Sequence, residues 1–115
     1  MQIGVPMEIK SQEYRVGMTP GGVRELVAAG HIVQVQTQCG ARIGLTDDLY
    51  RDAGAQVTET AEALFSDCDL IVKVKEPQAR ECRLLRSGQT LFTYLHLAAD
   101  PEQAKLLMAS GANCI

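Results

Sequence analysis

Short β-branched runs alternate with helix-forming segments along the whole of this 115-residue chain, and that rhythm restricts the fold more than any other feature. Residues 2–6 and 31–36 read as strands, with a helix over 20–29 between them. The pattern continues with helical segments over 46–53 and 60–65, a strand over 70–74 and a helix over 79–85. A strand over 90–95 and a helix over 101–109 close the series. Strands separated by helices return to the same edge and pair in parallel, and a parallel sheet has to be covered on both faces. The expected class is therefore α/β, an open, mainly parallel sheet with helices on both faces, of the Rossmann or flavodoxin-like kind.

The punctuation agrees with these boundaries. Thr19-Pro20 and Asp100-Pro101 each put a capping oxygen ahead of a proline at the first helical position, where its missing N–H is harmless. Gln103, three residues after Asp100, completes a relative of the capping box. Gly30, Gly54 and Gly111 follow helical patterns where a left-handed residue is wanted. Val23, Leu26 and Val27 give the first helix one apolar stripe. Residues 111–115 read as a turn entering a new strand, so residues 1–115 are expected to be one domain of a longer protein.

Composition removes several function classes. Eleven Lys+Arg against 14 Asp+Glu leave a formal net charge of −3, which argues against a nucleic-acid binder working through bulk charge. No Trp, three Tyr and two Phe offer little surface for stacking on bases. No apolar run approaches the roughly 18 residues of a membrane span, and Glu8 and Lys10 interrupt any signal-peptide pattern, so a cytoplasmic protein is expected. The four cysteines, at 39, 68, 82 and 114, show no Cys-x-x-Cys spacing and read as reduced, mostly buried thiols; no metal site is expected. Gly21-Gly22 and the 40–44 segment lack the G-x-G-x-x-G spacing, so no cofactor-binding residue is expected in this chain.

In an open parallel sheet, ligands bind outside the carboxyl ends of the strands, and the residues there are polar. The connection over 7–18 is long for a βα loop and carries Glu8, Lys10, Glu13 and Arg15. Arg15 has the planar fork that grips a carboxylate through two hydrogen bonds, although a solvated surface arginine would read the same way. Alternation over 70–75 puts Lys73 and Lys75 on one face at a strand exit. They could snorkel to solvent, or one of them could polarise a carbonyl oxygen or pair with an anion. His96 follows the strand over 90–95 at the same rim, where an imidazole could pass protons; His31 falls at the opposite rim.

These residues and their surroundings resemble the N-terminal domain of the alanine dehydrogenase and pyridine nucleotide transhydrogenase family. The likeness runs through Ile3-Gly-Val-Pro6 with Glu8 and Lys10, Glu13-Tyr-Arg-Val16, Thr19-Pro20 with Gly22-Val23, and the Gly30-His31 turn. Two longer stretches, over 69–77 and 88–98, extend it across essentially the whole chain. Transhydrogenase chains differ where Lys75 and His96 stand, which favours alanine dehydrogenase. The resemblance implies that Arg15 holds a substrate carboxylate, that Lys75 binds near the carboxylate and keto oxygen, and that His96 is the general acid/base. It further implies NAD-dependent, reversible oxidative deamination of L-alanine to pyruvate and ammonia by a homo-oligomer, with NAD bound by a domain beyond Ile115 and this chain inactive alone. Met7 and the loop over 39–44 depart from the family pattern. A lysine-forming saccharopine dehydrogenase, a transhydrogenase α-subunit and a non-catalytic module binding 2-oxo acids are the alternatives.

Overall fold

A computed structural model of the chain describes residues 1–93 and 101–115. Strand β1 (Gln2–Val5) leads through a long loop to helix α1 (Pro20–Ala28), then β2 (Ile32–Gln36), a short 3-10 turn (Ala41–Ile43) and α2 (Asp47–Asp52). Next come β3 (Gln56–Thr58), α3 (Ala61–Asp67), β4 (Leu70–Val72), α4 (Ala79–Cys82), β5 (Thr90–Phe92), α5 (Pro101–Ser110) and β6 (Asn113–Cys114). The strands form one sheet in the order β3-β2-β1-β4-β5-β6, with every neighbouring pair parallel. This is the doubly wound order, in which the chain winds outward in one direction from β1 and in the other from β4. The crevice between the carboxyl ends of β1 and β4 is thereby the topological switch point.

Register divides the core into two layers. Ile3 stands opposite Val33 and Leu70, and these positions, with Val5 and Val35, face α1 and α2. The alternate row, Gly4 with Ile71 and Leu91, faces α3, α4 and α5. Leu64, Phe65 and Cys68 pack against that second row. Gly4 is glycine because α3 lies directly on it: a Cβ there would stand 2.7 Å from Leu64 Cδ2 and 2.9 Å from Cys68 Sγ.

Several boundaries form for the reasons legible in the sequence. Thr19 Oγ1 accepts a hydrogen bond from the Gly22 N–H at 3.2 Å, and Val23 is fully buried under α1 with Leu26 and Val27 packed beside it. Gly30, Gly54 and Gly111 all have positive φ, 95°, 105° and 73°. The strand expected after Gly111 is present as β6. The expected cap at Asp100 and the end of the strand over 90–95 lie outside the described residues.

Other boundaries differ. Strand β3 is not apparent in the sequence because Val57 is the lone aliphatic residue among its three. The strand expected over 70–74 ends at Val72, since the Val74 and Lys75 N–H groups turn away from the sheet to the Glu8 carboxylate. Helix α4 stops at Cys82 rather than continuing to residue 85; the Leu84 N–H reaches back only to the Glu81 carbonyl, at 2.9 Å, tightening the end into a turn.

Candidate active site

The loop between β1 and α1 lies over the carboxyl ends of β1 and β4. Its first turn is tied down by the Met7 N–H, which donates to Gln36 Oε1 at 2.9 Å. Farther along, Gly17 passes so close to β4 that a Cβ would stand 2.6 Å from the Val72 carbonyl oxygen. Between these anchors Tyr14 lies beneath the Arg42 guanidinium, 5.2 Å from ring centroid to Cζ, and Arg42 Nη2 donates to the Glu8 carbonyl at 3.1 Å.

Glu8 fills the switch point. Its side chain has no exposed surface, and Oε1 accepts from Lys73 Nζ at 3.0 Å and from the Lys75 N–H at 3.2 Å. Oε2 accepts from the Val74 N–H at 3.0 Å. Lys73 Nζ is shared with Glu81 Oε2 at 2.9 Å, while Glu81 Oε1 accepts from the Gln78 N–H at 2.9 Å. Buried charges survive only when paired and hydrogen-bonded, and each member of this triad meets that condition. Burial pushes the Glu81 carboxyl up, and the Lys73 ammonium opposes the shift.

The two lysines expected to share a strand face therefore have separate fates. Lys73 does not snorkel; it is 5% exposed and neutralises two carboxylates beneath the rim. Lys75 lies beyond the end of β4 and enters a groove lined also by Lys10, Ser11, Gln12, Glu13, Tyr14 and Arg15, with a volume of about 440 Å³. The structure thus brings Arg15 and Lys75 together on one surface. Glu13 is fixed on Arg15: its Oε2 accepts from Arg15 Nε at 2.9 Å and its Oε1 from Arg15 Nη2 at 2.7 Å. Those Arg15 hydrogen bonds, with a smaller contribution from the charge of Lys75, hold the Glu13 carboxyl down to about 2. Lys10 pairs with Glu76. His96 lies outside the described residues, and His31 precedes β2 at the amino rim, away from this groove.

Glu13 and Glu8 were visible in the sequence only as polar residues of a long loop, and Glu81 was not singled out. The Glu13-x-Arg15 spacing could have suggested a carboxylate orienting the guanidinium. Cys39 and Cys68 are buried, and burial raises both thiols to about 11, far from reactive thiolates. Among the described residues no group of three or more His, Cys, Asp or Glu side chains is placed to hold a metal ion, and no helix is long and apolar enough to cross a membrane.

The Glu8 carboxylate occupies the crevice between the carboxyl ends of β1 and β4 and takes the Val74 and Lys75 N–H groups.

Residues 4–115 match the family described as "Alanine dehydrogenase/PNT, N-terminal domain". The chain belongs to this family. It is 53% identical to an alanine dehydrogenase of Halomonas elongata and 46% identical to one of Mycolicibacterium smegmatis, each over all 115 residues. It spans 31% of the length of each of those relatives. Among solved structures, an L-alanine dehydrogenase superimposes with a TM-score of 0.96 at 50% identity, covering 100% of this chain and 32% of that one. A transhydrogenase from Sinorhizobium meliloti superimposes with a TM-score of 0.91 at 25% identity, covering 99% of this chain and 34% of that one. Within the alanine dehydrogenase/PNT family the chain is thus nearer to the alanine dehydrogenases than to this transhydrogenase.

Proposed function

We propose that this chain is the substrate-binding domain of an NAD-dependent alanine dehydrogenase, which interconverts L-alanine with pyruvate and ammonia. The observation that carries the reading is the shared groove: Arg15 and Lys75, far apart in sequence, meet at the carboxyl rim beside the switch point. In this reading Arg15 takes the substrate carboxylate, its orientation set by Glu13. Lys75 donates toward the carboxylate and keto oxygen, and drawing electron density from that carbonyl favours attack on its carbon. His96, by the family resemblance, moves the proton as carbinolamine and imine interconvert. The sequence has no G-x-G-x-x-G spacing, so in this reading NAD, whose chemistry would be to carry the hydride, is held by sequence outside this chain. The natural assembly is proposed to be a homo-oligomer.

The test is NADH oxidation by the full-length protein in the presence of pyruvate and ammonium. Charge-assisted hydrogen bonds contribute about 1.5 to 3 kcal/mol each, so Arg15→Ala and Lys75→Ala should each raise the KM for pyruvate about tenfold or more. Hydride exchange between nicotinamide nucleotides without any dependence on pyruvate would overturn the reading in favour of a transhydrogenase.

A further inference from the structure

We infer that Thr93 and Glu8 are positioning residues for Lys75: one holds its carbonyl and the other its N–H, and together they set the point from which its ammonium enters the groove. This rests on the proposed reading of the groove as a 2-oxo-acid site. Lys75 lies beyond the end of β4, so the strand itself does not fix it. The Lys73 N–H still donates to the Phe92 carbonyl of β5, at 3.0 Å. Past that bond, side chains from two other segments hold the exit. Glu8, from the β1–α1 loop, accepts the Val74 N–H on Oε2 at 3.0 Å and the Lys75 N–H on Oε1 at 3.2 Å. Thr93, the residue after β5, donates its Oγ1 hydroxyl to the Lys75 carbonyl oxygen at 2.8 Å.

These contacts fall on the two peptide groups that flank one Cα. A peptide group is planar, so holding both of them holds φ and ψ of Lys75, and with them the direction in which its Cβ leaves the main chain. A lysine carries its charge on a flexible four-carbon stem, and a fixed root is what confines the ammonium to the groove it shares with Arg15. Both grips are themselves rigid. The Glu8 side chain is fully buried, and Lys73, shared with Glu81, holds its Oε1. Thr93 is β-branched, which restricts its χ1 rotation. Placement matters here because a displacement of about 1 Å in a group that meets the reacting atoms costs up to about a hundredfold in rate.

The experiment uses the full-length protein. Pyruvate dissociation constants are read by ligand-observed NMR with NAD⁺ present, which needs no turnover, beside the KM for NADH in reductive amination. Thr93→Val removes the hydroxyl and nearly keeps the shape; it should weaken pyruvate binding about fivefold while the KM for NADH stays within about twofold. Thr93→Ser returns the hydroxyl and should recover most of the loss. In a Lys75→Ala background the Thr93→Val change should be nearly silent, because the group it positions is gone. Glu8→Gln, with one acceptor oxygen in place of two, should show the same dependence on Lys75. Unchanged pyruvate binding in Thr93→Val overturns the inference. So does a loss of the same size in the Lys75→Ala background, which would mean that the exit of β4 is held for stability alone, or an equal loss for pyruvate and NADH, which would mean a general loosening. A wild-type protein that neither binds nor reduces pyruvate would strike the proposed function, and this inference with it.

Discussion

Two glutamates of one loop do opposite things with the same functional group. Glu8 is withdrawn from water and holds the backbone at the end of β4, whereas Glu13 backs a guanidinium at the groove. Removing Glu8 leaves two N–H groups without their carboxylate and Lys73 with half of its compensation. Breaking a buried ion pair from one side costs about 3 to 5 kcal/mol, so Glu8→Ala should lower the thermal midpoint by many degrees; a shift of a degree or two in calorimetry would contradict this account. Glu13 makes a pH prediction. Its folded carboxyl is depressed from 4.5 to about 2, so the stability it contributes is complete above 4.5 and is lost as pH falls from there toward about 2. Urea midpoints measured across that window should fall less steeply with acid in Glu13→Gln than in the wild-type chain.

At the level of elements, the packing of α3 on β1 is the tightest contact in the sheet's second layer that depends on a missing side chain. Adding one methyl group at Gly4 forces it against Leu64 and Cys68 at under 3 Å. Overpacking of this kind costs about 1 to 3 kcal/mol, and Gly4→Ala should lower the denaturant midpoint accordingly with an unchanged slope. The same mutation at Gly30, where nothing lies within 4 Å, meets only the cost of a positive φ.

The whole molecule brings its chemistry to one rim. The β1–α1 loop and the exit of β4 meet there because β1 and β4 are neighbours despite being separated in sequence by two strands and three helices. In the proposed reading a substrate held at that rim still needs a hydride carrier, and the sequence holds no G-x-G-x-x-G turn for one. The 115-residue chain alone should therefore form no NADH from L-alanine, while pyruvate titrated into it should shift the NMR signals of Arg15 and Lys75. NADH production by the pure chain would refute the division of labour.

Local features were legible in the sequence because they depend on near neighbours: the α/β alternation, the Thr19 cap, the glycine stops, and Arg15 in a loop too long to be a simple connection. The placement of Lys75 beside Arg15 followed from the rule that strand ends share one rim, together with the family resemblance. What the sequence left open were outcomes that depend on register between distant segments. Nothing in Lys73-Val-Lys75 says which ammonium is buried; that was decided by Glu8 arriving from the β1 loop and Glu81 from α4. Likewise the early end of β4 and the space that only glycine fills at position 4 arise from where other elements lie. Sequence by itself determined the class of fold and the polar rim; tertiary structure decided which charges cancel in the interior and which remain to meet a ligand, because Coulomb energy and desolvation depend on distances that only the folded chain defines.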